Sequence, residues 1–172
     1  MLEERETLYF NPPCGYNVVY FNRETSGLVL QHQQHNLEEV ESELAIAKTF
    51  ADRNGDLVEL LPERKQPQGV KTPDARHNKK EIWEYKTLTE EAVTLRTAVD
   101  RKIREVITQG VKNIAVLIER QKYDIQEINK GFAFGIDNDE DSLIQKVSLI
   151  FRGKIQTINR KDWKNGSRFS RF

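Results

Sequence analysis

The stretch Lys71-Thr72-Pro73-Asp74-Ala75-Arg76-His77-Asn78-Lys79-Lys80-Glu81-Ile82-Trp83-Glu84-Tyr85-Lys86-Thr87 reads as two strands joined by a polar turn. Alternate side chains of a strand share a face, so Glu84 and Lys86 project together while Tyr85 points the other way. A turn centred on Lys79 gives an antiparallel register that sets Asp74 across from Glu84. Two carboxylates and an ammonium on one patch suit a divalent cation held through hard oxygen ligands, with water activated beside it. The plainer alternative is a solvated strand face on which Lys86 neutralises Glu84, because Pro-Asp is a common turn dipeptide and Glu-x-Lys recurs in highly charged chains.

Upstream of this hairpin, Asn36 and Glu39 form a capping box ahead of Leu37, Val40, Leu44, Ala47 and Ala51 at helical spacing. This predicts a helix ending near Asn54-Gly55. Leu57 to Leu61 then reads as a strand, Pro62 to Lys71 as a loop, and Thr72 to His77 and Glu81 to Leu88 as the hairpin strands. Thr87 or Thr89 caps a second helix with the stripe Ala92, Leu95, Val99, Ile103 and Val106, stopped by Gly110. Asn113 to Ile118 is a continuous apolar run, as in a strand covered on both faces. The order over residues 36–119 is helix, three strands, helix, strand.

Residues 1–35 are expected to hold an N-terminal β-hairpin, Tyr16 to Phe21 and Gly27 to Gln31, as a preface to this core. Residues 120–172 form an extension: a short helix from Asp124 to Phe132, strands Ile144 to Phe151 and Lys154 to Ile158 about Arg152-Gly153, and a basic tail. The expected class is α/β (α+β), with 1–172 as a single domain.

Lysine and arginine balance aspartate and glutamate at 27 each, so no global charge points to nucleic acid and any partner must be read locally. The lone Cys14 precludes a disulfide within the chain and suits a reducing compartment. No apolar run reaches membrane-spanning length, and the acidic start Met1-Leu2-Glu3-Glu4-Arg5-Glu6 is unlike a secretory signal, so a cytoplasmic location without a membrane partner is expected. His32, His35 and His77 lack zinc spacing. Asp137, Asp139 and Asp141 mimic the start of a calcium loop, but Ser142 and Ser148 stand where glycine and glutamate are needed, which leaves a solvated acidic loop. Arg96, Arg101, Lys102 and Arg104 read as a solubilising helix face, with nucleic-acid contact as the lesser alternative.

The succession of elements carrying Pro73-Asp74 and Glu84-Tyr85-Lys86 resembles the PD-(D/E)XK nuclease superfamily, from about Glu39 to Glu119. The resemblance implies a restriction-endonuclease-like αβββαβ core. More narrowly, Leu57-Val58-Glu59-Leu60-Leu61-Pro62-Glu63, Lys71-Thr72-Pro73-Asp74 and Trp83-Glu84-Tyr85-Lys86-Thr87 resemble the C-terminal tRNA nuclease domains of contact-dependent inhibition toxins (CdiA). The likeness implies an endonuclease in which Asp74 and Glu84 bind Mg2+ or Mn2+ and Lys86 orients or deprotonates the attacking water. Such enzymes often add a glutamate from the first helix, for which Glu43 fits best and Glu39 second. The implied substrate is RNA, tRNA in particular, with DNA close behind; an immunity protein and delivery into a target-cell cytoplasm are implied by the toxin likeness. Some toxin nucleases have the barnase/EndoU/colicin/RelE-like fold and cut RNA without metal, and His77 is then the nearest candidate base. A nucleic-acid-binding module on a degenerate nuclease fold is the non-enzymatic alternative.

Phosphate contacts are expected from Arg76, His77, Lys79 and Lys80 around the hairpin. In the tail, Arg160, Lys161, Lys164, Arg168 and Arg171 are placed to track a backbone while Trp163 or Phe169 stacks on bases, the alternative being a disordered tail. Trp83 and Tyr85 are expected in the core behind the site.

Overall fold

The computed structural model describes residues 2–35, 40–63, 72–89 and 94–172. The capping pair Asn36 and Glu39, with Leu37, Lys71, most of the 62–71 loop and Ala92, lie outside the described residues. Among the described residues are five helices and eight strands in a mixed α/β arrangement. The chain forms two compact units, Met1–Trp83 and Glu84–Phe172.

The first unit contains α1 (Leu2–Phe10), β1 (Tyr16–Asn22), β2 (Gly27–His32), α2 (Val40–Asn54), β3 (Leu57–Leu60), β4 (Ala75–His77) and the opening of β5 (Glu81–Leu88). The N-terminal hairpin is more than a preface, because β2 pairs in parallel with β3, Leu28 opposite Leu57 and Leu30 opposite Glu59. Leu28, Leu30 and Leu57 are fully buried, with Leu8, Tyr16, Val18 and Phe21 packed on them. Helix α2 ends where Gly55 takes φ +69°, the left-handed turn expected of a glycine there. Its Phe50 packs on His77 and Trp83 at ring-centroid distances of 4.5 and 5.0 Å. A Cβ on Gly27 would fall 2.0 Å from the Ala51 carbonyl oxygen, so this close approach of β2 to α2 requires glycine.

Strand β4 is shorter than expected, and Asp74 stands just ahead of it with its carbonyl accepting from Leu61 N–H at 2.9 Å. The register between β4 and β5 is the one read from the turn: Ala75 opposite Trp83, Arg76 opposite Ile82, His77 opposite Glu81. Asn78 and Lys79 carry positive φ, 48° and 62°, which a tight hairpin turn demands. Asn78 also serves as a hub, its Oδ1 accepting from Leu57 N–H and from the buried Arg5 of α1.

The second unit contains the rest of β5, then α3 (Leu95–Thr108), β6 (Asn113–Ile118), α4 (Ile125–Asp137), β7 (Lys146–Phe151), β8 (Lys154–Asn159) and α5 (Arg160–Lys164). Helix α3 is capped by Thr94, whose hydroxyl accepts from Thr97 N–H, and not by Thr87 or Thr89, of which the former lies within β5. Every residue of β6 is buried, as its apolar run predicted. Strands β6 and β7 are parallel; β7 and β8 form a hairpin about Arg152 and Gly153, both with positive φ. Helix α4, expected from Asp124 to Phe132, is capped by Asp124 and continues past Phe132 to Asp137.

The tail is ordered and built into this unit. Trp163 and Phe169 are 1% and 3% exposed, each ring against Phe132. Asn129 accepts from Phe169 N–H and donates to its carbonyl, at 3.0 and 2.9 Å. Burying side chains of this size contributes about 1.5–3 kcal/mol each, enough to order the tail and to withdraw both rings from base stacking.

Candidate active site

Strand β5 sorts its side chains as its alternation predicts. Trp83 and Tyr85 are core residues, 2% and 3% exposed. On the opposite face Lys86 Nζ lies 2.6 Å from Glu84 Oε1, with the two side chains only 12% and 3% exposed. The pair is therefore buried, not a solvated strand face.

In the first unit the expected glutamate of α2, Glu43, is also buried, and His35 Nε2 stands 2.5 Å from its Oε2. The other ring nitrogen, Nδ1, is 2.6 Å from the Leu61 carbonyl. A carbonyl only accepts, so Nδ1 carries a hydrogen and the Nε2 contact shares a further proton with the carboxylate. Burial opposes the charged imidazole, but the Glu43 hydrogen bond, the Leu61 carbonyl and the charges of Glu43 and Asp74 together raise the His35 pKa. Sequence reading set His35 aside for lack of zinc spacing; a histidine at the entry to a helix gives no local sign of folding back onto a glutamate in it.

Arg76 is gripped by a second buried carboxylate, Glu59 of β3, through Nε–Oε2 and Nη2–Oε1 bonds of 2.8 and 2.9 Å. The hydrogen bond to Glu59 raises the Arg76 pKa further, against some desolvation. The signal for Glu59 was present in Leu57-Val58-Glu59-Leu60, a charge inside an apolar strand, which burial permits only with a partner.

Several expected nucleic-acid contacts are placed elsewhere. His77 is 1% exposed, enclosed by Phe50 and Trp83, with Nδ1 3.2 Å from Asp56 Oδ2. Arg160 turns inward, its Nη1 2.6 Å from Asp139 Oδ2 and both terminal nitrogens on the carbonyls of Ile144 and Asp139. Asp139, expected in a solvated acidic loop, is buried and accepts from Leu143 and Ile144 N–H as well. Lys164 is exposed and paired with Asp137 at 2.7 Å, and Arg168 lies over the Trp163 ring at 4.5 Å while donating to the Trp163 carbonyl. Lys79 pairs with Glu4 and Lys80 is exposed at the hairpin turn. On α3, Arg96 and Arg104 both stand over the Phe134 ring of α4, each at 5.5 Å.

Among the described residues no three histidine, cysteine, aspartate or glutamate side chains gather into a metal cage. No helix among them is long and apolar enough to cross a membrane.

No family model and no curated protein matches this chain. Among solved structures it is similar to a chain of the CdiA-CT/CdiI toxin and immunity complex from Burkholderia pseudomallei, at 21% identity and a TM-score of 0.50, over 74% of this chain and 91% of that one. The likeness is one of fold.

Proposed function

We propose that this protein is a toxin-type nuclease that hydrolyses phosphodiester bonds with magnesium or manganese, with RNA, tRNA in particular, as its substrate. The observation that carries the reading is the buried Glu84–Lys86 pair on one face of β5, in a fold like that of a chain from a toxin and immunity complex. Glu84 would supply a carboxylate oxygen to the ion. The chemistry supplied by such an ion is polarisation of the scissile phosphate and acidification of water.

The chain's own groups have distinct tasks. The carboxylate of Glu84 fixes the Lys86 ammonium within a dry face, where a positive group is worth more than in water. Lys86 orients the attacking water and, as the phosphorus becomes five-coordinate, donates hydrogen bonds to the oxygens that gain charge. Lys79 and Lys80, both exposed at the hairpin turn, would contact the substrate backbone. A partner immunity protein, acidic where it meets these lysines, and action in a target-cell cytoplasm complete the proposal.

The test is incubation of the protein with tRNA, single-stranded DNA and duplex DNA, in manganese or in EDTA, alongside Glu84→Ala. Cleavage of tRNA in manganese, lost in EDTA and reduced by at least about a hundredfold in Glu84→Ala, is the expected outcome. Cleavage undiminished in EDTA replaces the metal reading with a metal-independent ribonuclease. An intact set of polymers removes the enzyme reading and leaves a binding module.

A further inference from the structure

Withdrawal of Trp163 and Phe169 into the core leaves a different set of rings near the surface of the second unit. Tyr123, Phe151 and Phe172 are half-buried and lie side by side, with centroids 4.7 Å apart between Tyr123 and Phe151 and 6.2 Å between Phe151 and Phe172. The Phe172 N–H donates to the Tyr123 hydroxyl at 3.3 Å, which ties positions 49 residues apart. Each ring has an exposed cation next to it in the chain, Lys122, Arg152 and Arg171. The Arg152 guanidinium stands 4.9 Å from the Phe151 centroid, and none of the three cations is in an ion pair among the described residues. We propose that this cluster is a nucleotide-binding surface, which stacks unpaired bases of an RNA on its rings and meets the adjoining phosphates with its cations. The inference rests on the nucleic-acid substrate proposed above and not on the metal.

Place, backbone and chemistry favour recognition over simple packing. Strands β6 and β7 run parallel, with Leu117 opposite Ile150, so Tyr123 follows the carboxyl end of one strand and Phe151 ends the other. That is the end at which open α/β sheets bind ligands. Arg152 takes φ +48° at the β7–β8 turn, a left-handed position that favours glycine or asparagine; the turn itself does not ask for an arginine. Aromatic rings beside cations are the means by which single strands are held, since every base has a π-face and every nucleotide a phosphate. An acidic protein would engage the cations without using the rings.

The test is fluorescence anisotropy with a labelled oligouridylate and with tRNA, titrated in EDTA over a range of salt. The full chain is compared as wild type, Phe151→Leu, Phe172→Leu and Arg152→Asn, with the melting temperature and the tRNA cleavage of each. Leucine keeps apolar volume while removing the ring; asparagine suits the left-handed turn while removing the guanidinium. The expected result is a Kd for oligouridylate raised about fivefold or more in each leucine variant. In Arg152→Asn the slope of log K against log salt should fall in magnitude by about 0.7, one phosphate contact on a single strand, at a melting temperature near that of wild type. Should Phe151→Leu not fold, Phe172→Leu and Arg152→Asn carry the comparison. Equal affinity and equal salt slope across the folded variants overturn the proposal and leave the rings to packing or to a protein partner, while tRNA cleavage by the same wild type keeps the nuclease reading standing. A wild type that neither binds nor cuts tRNA overturns both.

Discussion

Replacing Arg160 with alanine is expected to destabilise the protein by about 3–5 kcal/mol, the cost of breaking a buried ion pair from one side. The substitution removes the 2.6 Å bond from Nη1 to Asp139 Oδ2 and bonds of 3.1 Å to each of the Ile144 and Asp139 carbonyls. The side chains are 14% and 1% exposed, so water cannot readily take over from the guanidinium. Against this, Asp139 keeps two backbone N–H donors, from Leu143 and Ile144 at 3.0 and 2.8 Å, which holds the effect within that range instead of raising it further. The basic tail would then be a strut of the second unit and not a track for nucleic acid at this position.

Urea unfolding followed by circular dichroism and tryptophan fluorescence measures the effect, with Asp139→Asn and the double variant closing a thermodynamic cycle. The double variant is expected to recover at least about 1 kcal/mol relative to the sum of the singles, because the charge left unpaired in Arg160→Ala is then gone. A stability within about 1 kcal/mol of wild type, the range of an exposed pair, combined with weaker tRNA binding would refute the reasoning and return Arg160 to substrate contact.

Two further outcomes follow from the first unit. Burial alone would raise the Asp56 pKa, but hydrogen bonds from His77 and Asn78 hold it below the ordinary carboxylate value; its contribution is therefore present above the unfolded-state pKa and lost as pH falls through the folded one. Between pH 5 and 3, on the order of the usual carboxylate range, wild type should lose stability more steeply than Asp56→Asn, and parallel urea midpoints would contradict this. Gly27→Ala places a Cβ 2.0 Å from a backbone oxygen of α2 and should cost about 1–3 kcal/mol or more; an unchanged melting temperature would show that the approach of β2 to α2 relaxes freely.

The elements legible in the sequence are those with a strong local period. Strand β5 and strand β6 have the predicted bounds, Glu81–Leu88 and Asn113–Ile118, because an alternating run and a continuous apolar run each end at turn residues. The β4–β5 register was readable for a related reason: a short turn about Lys79 permits few pairings. Helix α1 was not, since its apolar residues do not gather on one side and its anchor, Arg5 to Asn78, spans 73 positions. The end of α4 was also missed because glycines interrupt its pattern, at Gly131 and Gly135.

What local pattern cannot show is which charges are buried and by whom they are met. Glu43, Glu59, Glu84 and Asp139 are each nearly inaccessible, and each has a cationic or proton-sharing partner: His35, Arg76, Lys86 and Arg160. Only Glu84 and Lys86 are close enough in sequence, two residues apart on one strand face, for alternation to predict the meeting. The others join residues 8, 17 and 21 positions apart, and a balanced net charge conceals them. Burial of four such pairs does not by itself distinguish chemistry from architecture, because a buried pair stabilises little over an apolar replacement of the same volume. The distinction lies in the response to replacing both partners together. A pair that only holds the fold, as assigned to Asp139 and Arg160, tolerates a matched neutral substitution, whereas a pair that acts on substrate, as proposed for Glu84 and Lys86, loses its chemistry even when the fold survives.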